Sequence, residues 1–450
     1  MTVDVVVFVP GICGSVLKDG DTTIWPGTPA NAVFQSYPDA YVDILATSTT
    51  VRATDVLRSV PLTVFGVPVY HVDGYGKALR SLEGMGFNEV GGSLVPFAYD
   101  WRADVRISAA ALHARLSQPD LGGKHVAIVA HSMGGLVTRY ALERIGMPGG
   151  TQVDLVALVA SPHLGAPVAL QNVLGLRPEL FLSASQCRTV LRNPQFPSAY
   201  QLLPRPGVPA LLAANAQSAF LIKNPFDAAV AGQFGLVQGS IDAATALAAE
   251  LSFIGPGFQP PCRYVAIAGN AQKTVVANYQ QAEGANAVEE ETSGDGTVPL
   301  WSAAPPGIPV RYVAATHGDI FKDSDTEAML RAVLRPGTPG ARLFSLGAGP
   351  PPALSVQAIN TSVPPGVNFI VSIVADRPTG TVDASILVER AFAGDRIESH
   401  EVPVRYVGGP IRTIPLEFTA PQDRSILKFT VRPNDAAAAT GDPATVLVVN

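Results

Sequence analysis

The stretch His125-Val126-Ala127-Ile128-Val129-Ala130-His131-Ser132-Met133-Gly134-Gly135 combines an apolar strand-like run, an abrupt small-residue turn and the start of a helical pattern. A serine between a buried strand and a helix has the strand–turn–helix context that a nucleophile elbow requires. The turn forces that residue into a strained backbone, and small residues two before and two after it relieve the crowding. Ala130 and Gly134 fill those places, with alanine standing where the simplest form has glycine. The helix N-terminus behind Ser132 favours negative charge on an oxygen bound beside it.

Outward from this element, apolar runs alternate with helical periodicity. Val5–Val9, Leu94–Tyr99, His125–Ala130, Leu155–Ala160, Tyr264–Ala268 and Val310–Ala314 fit strands buried on both faces, as a parallel sheet requires. Between several of them lie the helical patterns Tyr75–Gly84, Val105–Leu116, Met133–Ile145 and Ser324–Leu334. The alternation predicts right-handed crossovers and a doubly wound α/β sheet of the α/β-hydrolase type. Residues 19–70 and 164–260 are too long to be plain connections. They are expected to form cap or lid elements over the C-terminal edge of the sheet, where ligands bind, and the second includes a helical pattern at Ser240–Ser252. The loop Asn270–Thr292, with Glu289-Glu290-Glu291, reads as solvated. A Gly/Pro-rich stretch, 341–352, separates a catalytic region, 1–340, from residues 353–450. There, about seven short strand-like runs, among them Phe369–Val374, Ser385–Val388, Val402–Tyr406 and Leu427–Val431, suggest an all-β, sandwich-like accessory domain.

Composition narrows the function. With 47% hydrophobic and 15% charged residues, the chain can bury most of its segments, so disorder is a poor fit. A net charge of -6 and the lack of a basic run exclude nucleic acid as an expected partner. Three dispersed cysteines give neither a disulfide framework nor a zinc cluster, and whether Cys187 and Cys262 pair is open. The acidic Asp4 and the Pro10-Gly11 break argue against a signal peptide. Breaks at Ser161-Pro162-His163 and Gly165-Ala166-Pro167 argue against a membrane span in Val153–Leu176. The expectation is a soluble, cytoplasmic protein.

A serine nucleophile needs a base, and the base an orienting acid; in this architecture they follow in the order serine, acid, histidine. Of seven histidines, only His163, His317 and His400 follow Ser132. His400 lies in the β region and His163 precedes every suitable acid loop. His317, after the last core strand, remains as base. Asp295, in the turn Ser293-Gly294-Asp295-Gly296-Thr297-Val298-Pro299, is the acid, with Asp319 and Asp323 as weaker alternatives. The oxyanion hole takes backbone N–H groups from Met133 and from the glycine-bearing loop after the first strand, where Ile12 is chosen by position. Gly74-Tyr75-Gly76-Lys77 lacks the spacing of a phosphate loop. Asp323-Ser324-Asp325 lacks the later ligands of a calcium loop. No metal or cofactor is implied.

Four motifs carry a further resemblance: Val9-Pro10-Gly11 with Gly14-Ser15, Pro96-Phe97-Ala98-Tyr99-Asp100-Trp101-Arg102, His131-Ser132-Met133-Gly134-Gly135, and Gly294-Asp295-Gly296-Thr297-Val298-Pro299. Together they resemble the lecithin:cholesterol acyltransferase family, with support from Pro197-Ser198-Ala199-Tyr200-Gln201-Leu202-Leu203-Pro204. The likeness spans residues 4–335 and leaves the β region unexplained. It implies Ser132, Asp295 and His317 as a triad, Ile12 and Met133 at the oxyanion hole, and a place for Trp101 near the acyl site, against the equal alternative of a buried aromatic under the lid. Asp100 and Arg102 read as a structural ion pair. The implied activity is that of a serine-dependent lipase, phospholipase, esterase or O-acyltransferase on lipid esters, with peripheral contact to a lipid surface and the acyl acceptor open. The rival is a catalytically silent protein that binds lipid or a partner through residues 353–450.

Overall fold

In a computed structural model of the chain, the described residues are 3–27, 37–64, 67–206, 208, 210–214, 220–251, 258–281, 284–303, 308–335, 352–358, 362–391, 397–434, 441 and 443–449. A six-stranded sheet forms the centre: β1 (Val5–Val9), β2 (Leu94–Pro96), β3 (His125–His131), β4 (Gln152–Val159), β5 (Arg263–Gly269) and β6 (Val310–Val313). Its order is β6-β5-β4-β3-β1-β2. Every pairing is parallel, with Val7 opposite Ile128 and Ala266 opposite both Leu158 and Val310.

The unbroken apolar runs follow from having two covered faces. Val5, Val7 and Val9 point into one core cluster while Val6 and Phe8 point into the other. Helices α2 (Val105–Leu116) and α3 (Met133–Tyr140) cover the first face through Leu112, Leu116, Leu136 and Val137. Helices α1 (Gly76–Glu83) and α5 (Ser324–Leu334) cover the second through Leu79, Leu82, Leu330 and Leu334. Each such aliphatic side chain contributes about 1.5–3 kcal/mol on burial. The sheet is thereby a rigid platform for the loops at its C-terminal edge. The pattern expected through Ile145 ends as an α-helix at Tyr140, and one π-helical turn, Ala141–Ile145, follows.

Both long intervals have structure of their own. The first holds the strands Thr22–Trp25 and Arg52–Val56, which form a three-stranded antiparallel sheet with Ser15–Asp19 leading into the interval, and the helix Asp39–Thr47. The second holds α4 (Val168–Leu174), further helices at Ala184–Leu191 and Gln238–Glu250, and a 3-10 segment at Pro197–Leu202. Arg102 ties them together: it pairs with Asp100 at 2.7 Å, donates to the carbonyls of Leu45 and Ser48, and stacks on Phe196. Asp100 and Arg102 are thus a structural pair. The segment expected to be a solvated loop before Asp295 is instead an antiparallel hairpin of Gln272–Gln281 and Gly284–Gly294. Thr274 to Asn278 are buried in succession, so the glutamate run occupies the second strand of a hairpin whose first strand is packed.

Residues 353–450 are all-β among those described. Two long strands, Asn368–Ala391 and Ile397–Thr419, pair along most of their length. Four shorter strands join the same hydrogen-bonded network. Phe369–Val374 and Ser385–Val388 therefore belong to a single strand rather than two. This region has its own apolar cluster, built on Phe369, Ile386 and Phe429. It meets the parallel-sheet part where Tyr406 packs edge-on against Tyr312 of β6, ring centroids 5.9 Å apart, and where Thr292 and Thr413 hydroxyls lie 2.9 Å apart. The interval 341–352 lies outside the described residues except at its last position. Cys13, Cys187 and Cys262 are unbridged. No helix among the described residues is long and apolar enough to cross a membrane.

Candidate active site

The turn between β3 and α3 holds Ser132 at φ 51° and ψ -126°, a conformation rare for any residue but glycine. Two close approaches make the turn possible. A Cβ at Gly134 would collide with the carbonyls of Val9 and Pro10, so only glycine lets α3 start against β1. At Gly11 a Cβ would sit 2.8 Å from that of Ser132, so the loop after β1 also needs glycine to pass the serine.

Ser132, His317 and Asp295 come together from three separate segments. His317 Nε2 lies 3.0 Å from Ser132 Oγ, and His317 Nδ1 lies 2.7 Å from Asp295 Oδ2. The other carboxylate oxygen of Asp295 accepts from the backbone N–H groups of Val298 and Thr297, at 2.7 and 3.0 Å. The backbone N–H of His317 donates to the Asp295 carbonyl, so acid and base are held by backbone and side chain alike. Burial alone would lower the pKa of His317. The charge and hydrogen bond of Asp295, helped by the charge of Glu179, more than offset it and raise the pKa above the ordinary value.

The alternative acids have other employment. Asp319 pairs with Lys322 and Thr316, while Asp323 caps α5 by accepting from Asp325 and Thr326. His163 is buried and absent from the lining of the cavity at Ser132, and His400 is exposed in the β region.

The loop after β1 is fixed from three sides. Tyr99 donates to the carbonyl of Pro10, Trp25 donates to that of Cys13, and the N–H of Gly11 donates to the Tyr75 hydroxyl at 2.8 Å. With the Gly11 amide engaged, that of Ile12, beside the cavity, is the next available donor in the loop. The Met133 amide is the first of α3 and has no acceptor within the helix.

Sequence reasoning passed over Tyr75 and His131. Tyr75 is buried and donates its hydroxyl proton to His131 Nδ1 at 2.8 Å while accepting from Gly11. His131 packs against His317, ring centroids 4.7 Å apart, and burial together with the neighbouring His317 holds it well below the ordinary histidine range, hence neutral. Gly74-Tyr75-Gly76-Lys77, set aside as a phosphate loop, thus places a tyrosine between the loop after β1 and the residue preceding Ser132. Its distance in sequence, 64 residues from Gly11, hides the contact.

A cavity of about 450 Å³ opens onto Ser132 and His317. Leu57, Val168, Leu182, Leu202 and Phe321 give it an apolar wall, and Glu179 and Asn172 are polar exceptions. Trp101 is not part of the lining. It is fully buried edge-on against Trp25, centroids 5.4 Å apart. Of its two readings, the buried aromatic is the one this position fits. Among the described residues, no group of His, Cys, Asp and Glu is arranged to hold a metal.

Fold and site together define an α/β protein whose parallel sheet presents an elbow serine to a histidine and a buried aspartate. Residues 48–224 match the family model for lecithin:cholesterol acyltransferase, and over that span the chain is lecithin:cholesterol acyltransferase-like, as its motifs imply. That family implies lipid acyltransferase or phospholipase-like activity in general. Ser132 lies inside the matched span; Asp295 and His317 lie outside it, so their juxtaposition rests on geometry. No curated protein matches the chain. Among solved structures, RedJ with a PEG molecule bound in its active site is 15% identical, covering 57% of this chain and 83% of its own, with a TM-score of 0.27. A type II cohesin domain from the cellulosome of Acetivibrio cellulolyticus is 8% identical, covering 22% of this chain and 95% of its own, with a TM-score of 0.13. At such scores neither likeness carries weight.

Proposed function

We propose that the protein is a serine-dependent acyl-transfer enzyme acting on lipid esters, as a lipase, phospholipase or esterase with water as acceptor, or as an O-acyltransferase with an alcohol. The observation that carries this is the unbroken relay from Ser132 Oγ through His317 to Asp295 Oδ2. In the proposed mechanism, His317 Nε2 takes the proton of Ser132 as its oxygen attacks the ester carbonyl, and a tetrahedral oxyanion forms. The amides of Met133 and Ile12 donate to that oxygen. Collapse expels the alcohol, which receives the proton from His317 and leaves an acyl-Ser132 ester. The acceptor then gives its proton to His317 as it attacks the acyl carbon, and collapse of this second tetrahedral intermediate releases the product while His317 returns the proton to Ser132 Oγ. Asp295 holds Nδ1–H toward itself throughout and stabilises the imidazolium.

A fluorophosphonate probe separates this reading from that of a silent binding protein. Stoichiometric labelling of Ser132, lost in Ser132→Ala, is expected. An unlabelled, folded protein would remove the enzyme. Product analysis with a phospholipid, with and without a long-chain alcohol, then identifies the acceptor.

Tyr75→Phe is expected to lower kcat about 10- to 100-fold with little change in KM, because small displacements of a positioned group are this costly. The phenylalanine ring keeps the packing but leaves the Gly11 N–H and His131 Nδ1 without their shared partner. His131→Asn, whose side-chain oxygen can replace Nδ1 as acceptor, should keep more turnover than His131→Leu. A Tyr75→Phe enzyme within twofold of wild type would show that the hydroxyl positions nothing.

The β region contributes no group to the relay, so a chain ending near residue 340 should still hydrolyse a short soluble ester. Because removal uncovers Tyr312 and frees Thr292, three residues before Asp295 in the strand that feeds it, its thermal unfolding should fall by several degrees. Loss of short-ester turnover in a folded truncated protein would make the region part of the catalytic unit.

A further inference from the structure

Besides the Asp319–Lys322 pair, the cavity at Ser132 has a polar feature that the acyl-transfer reading does not use. Glu179 sits in a tight turn, closed by mutual backbone hydrogen bonds with Leu182, and lines the cavity together with Asn172 of α4. Asn172 Nδ2 donates to Glu179 Oε2 at 2.7 Å. This fixes the amide's orientation, since the reverse would set two acceptors face to face. Asn172 is 8% exposed, and its Oδ1 is buried without a hydrogen-bond partner among the described residues. No lysine, arginine or histidine among them forms an ion pair with Glu179; Lys322, which also lines the cavity, pairs with Asp319. The result is a carboxylate on a mostly apolar wall with an oxygen to spare, backed by a buried amide oxygen that has no donor among the described residues.

Tying the turn to Asn172 needs only one side-chain oxygen, which an uncharged amide could supply equally well. A charge here has consequences for whatever fills the chamber. A plain hydrocarbon chain would strip water from the Glu179 carboxylate and return no hydrogen bond. A ligand carboxylate or phosphate would meet like charge. A hydroxyl satisfies one acceptor, and an ammonium has three donors and a charge to set against Glu179.

We infer that Glu179 and Asn172 form a specificity subsite for a hydrogen-bond-donating group of the substrate, an ammonium before a hydroxyl, and select against anionic substrates. This rests on Ser132 being the acyl-transfer nucleophile. The donor can arrive on the acyl chain or on the acceptor alcohol, and the two sources are separated by experiment.

For the first source, p-nitrophenyl esters of acyl chains of about four to ten carbons, ending in methyl, hydroxyl, ammonium or carboxylate, are compared by kcat/KM. For the second, the chain is acylated from p-nitrophenyl acetate in the presence of ethanolamine, ethylene glycol or n-propanol, and the ester products are measured. In one of these arms the ammonium compound should exceed its methyl counterpart by roughly tenfold or more, as one charge-assisted hydrogen bond allows, with the carboxylate ester lowest. In Glu179→Gln the ammonium preference should collapse while the hydroxyl preference partly survives; in Glu179→Leu the methyl compound should lead. Each ratio is taken within one variant, so any change that loss of the Glu179 charge makes in His317 cancels. A wild-type order that follows hydrophobicity alone in both arms, or ratios unmoved in folded Glu179→Gln and Glu179→Leu proteins, overturns the subsite. Absence of Ser132 labelling and of methyl-ester hydrolysis in the wild type would instead overturn the acyl-transfer reading beneath it.

Discussion

Replacing Ser132 by alanine is expected to cut ester turnover by on the order of 10³- to 10⁶-fold and to leave the fold intact. The size follows from chemistry: without Oγ no acyl intermediate forms, and the remaining machinery can only assist water. The fold should survive because the turn is imposed by β3, by α3 and by the close passes at Gly11 and Gly134, none of which uses the hydroxyl. Circular dichroism and thermal unfolding alongside turnover would separate the two effects. A Ser132→Ala protein within tenfold of wild type would mean that another residue is the nucleophile.

Asp295→Asn should be next in size, a loss on the order of 10⁴-fold, as when an amide in the orienting position favours the wrong histidine tautomer. It should also change the pH profile in a definite direction. His317 must be neutral to act as base, so kcat/KM rises with pH through its pKa, which Asp295 raises against the lowering effect of burial. The wild-type acid limb is therefore expected above the ordinary histidine value of about 6.5. With the charge gone, burial dominates and the limb should move to lower pH, visible in whatever activity remains. Asp319→Asn should leave turnover within a few-fold, since its partners are Lys322 and Thr316. Asp323→Asn keeps a good helix cap and should behave likewise. A larger loss at either one, or an acid limb that does not move in Asp295→Asn, would displace Asp295 from its role.

What could be read from sequence here was governed by the range of the interactions. The elbow was legible because strand, serine and helix are contiguous and its glycine answers a local crowding. The sheet was legible because both faces are covered, which turns each strand into an apolar run with little polar interruption. Asp295 and His317 followed from chain order and from the loops that end β5 and β6. The hairpin before Asp295 escaped because its outer strand carries glutamates on a solvent-facing side and reads as a loop. The two long strands of the β region were broken into shorter runs by residues such as Arg377-Pro378-Thr379-Gly380, where the pairing shifts register. Trp101 lies in the most distinctive motif, yet distinctiveness does not tell a packing role from a binding one; only its contact with Trp25 does. Tyr75 and the Glu179–Asn172 pair depend on contacts between separate segments or on a partner left unsatisfied, and neither property has a local signature.

The packing of Tyr406 on Tyr312 has a bearing on handling the protein as well as on catalysis. β6 is the outermost strand of the central sheet, and an open parallel sheet ends in a row of unpaired amides and carbonyls that invites another chain to add on. Tyr406 of the strand Ile397–Thr419 packs on β6 at that rim, and such cover is expected to hinder intermolecular pairing. A shortened chain that keeps Ser132, Asp295 and His317 would present the rim to its neighbours, so its failure at high concentration should take the form of association between copies, growing with concentration and relieved by a charged residue placed at Tyr312.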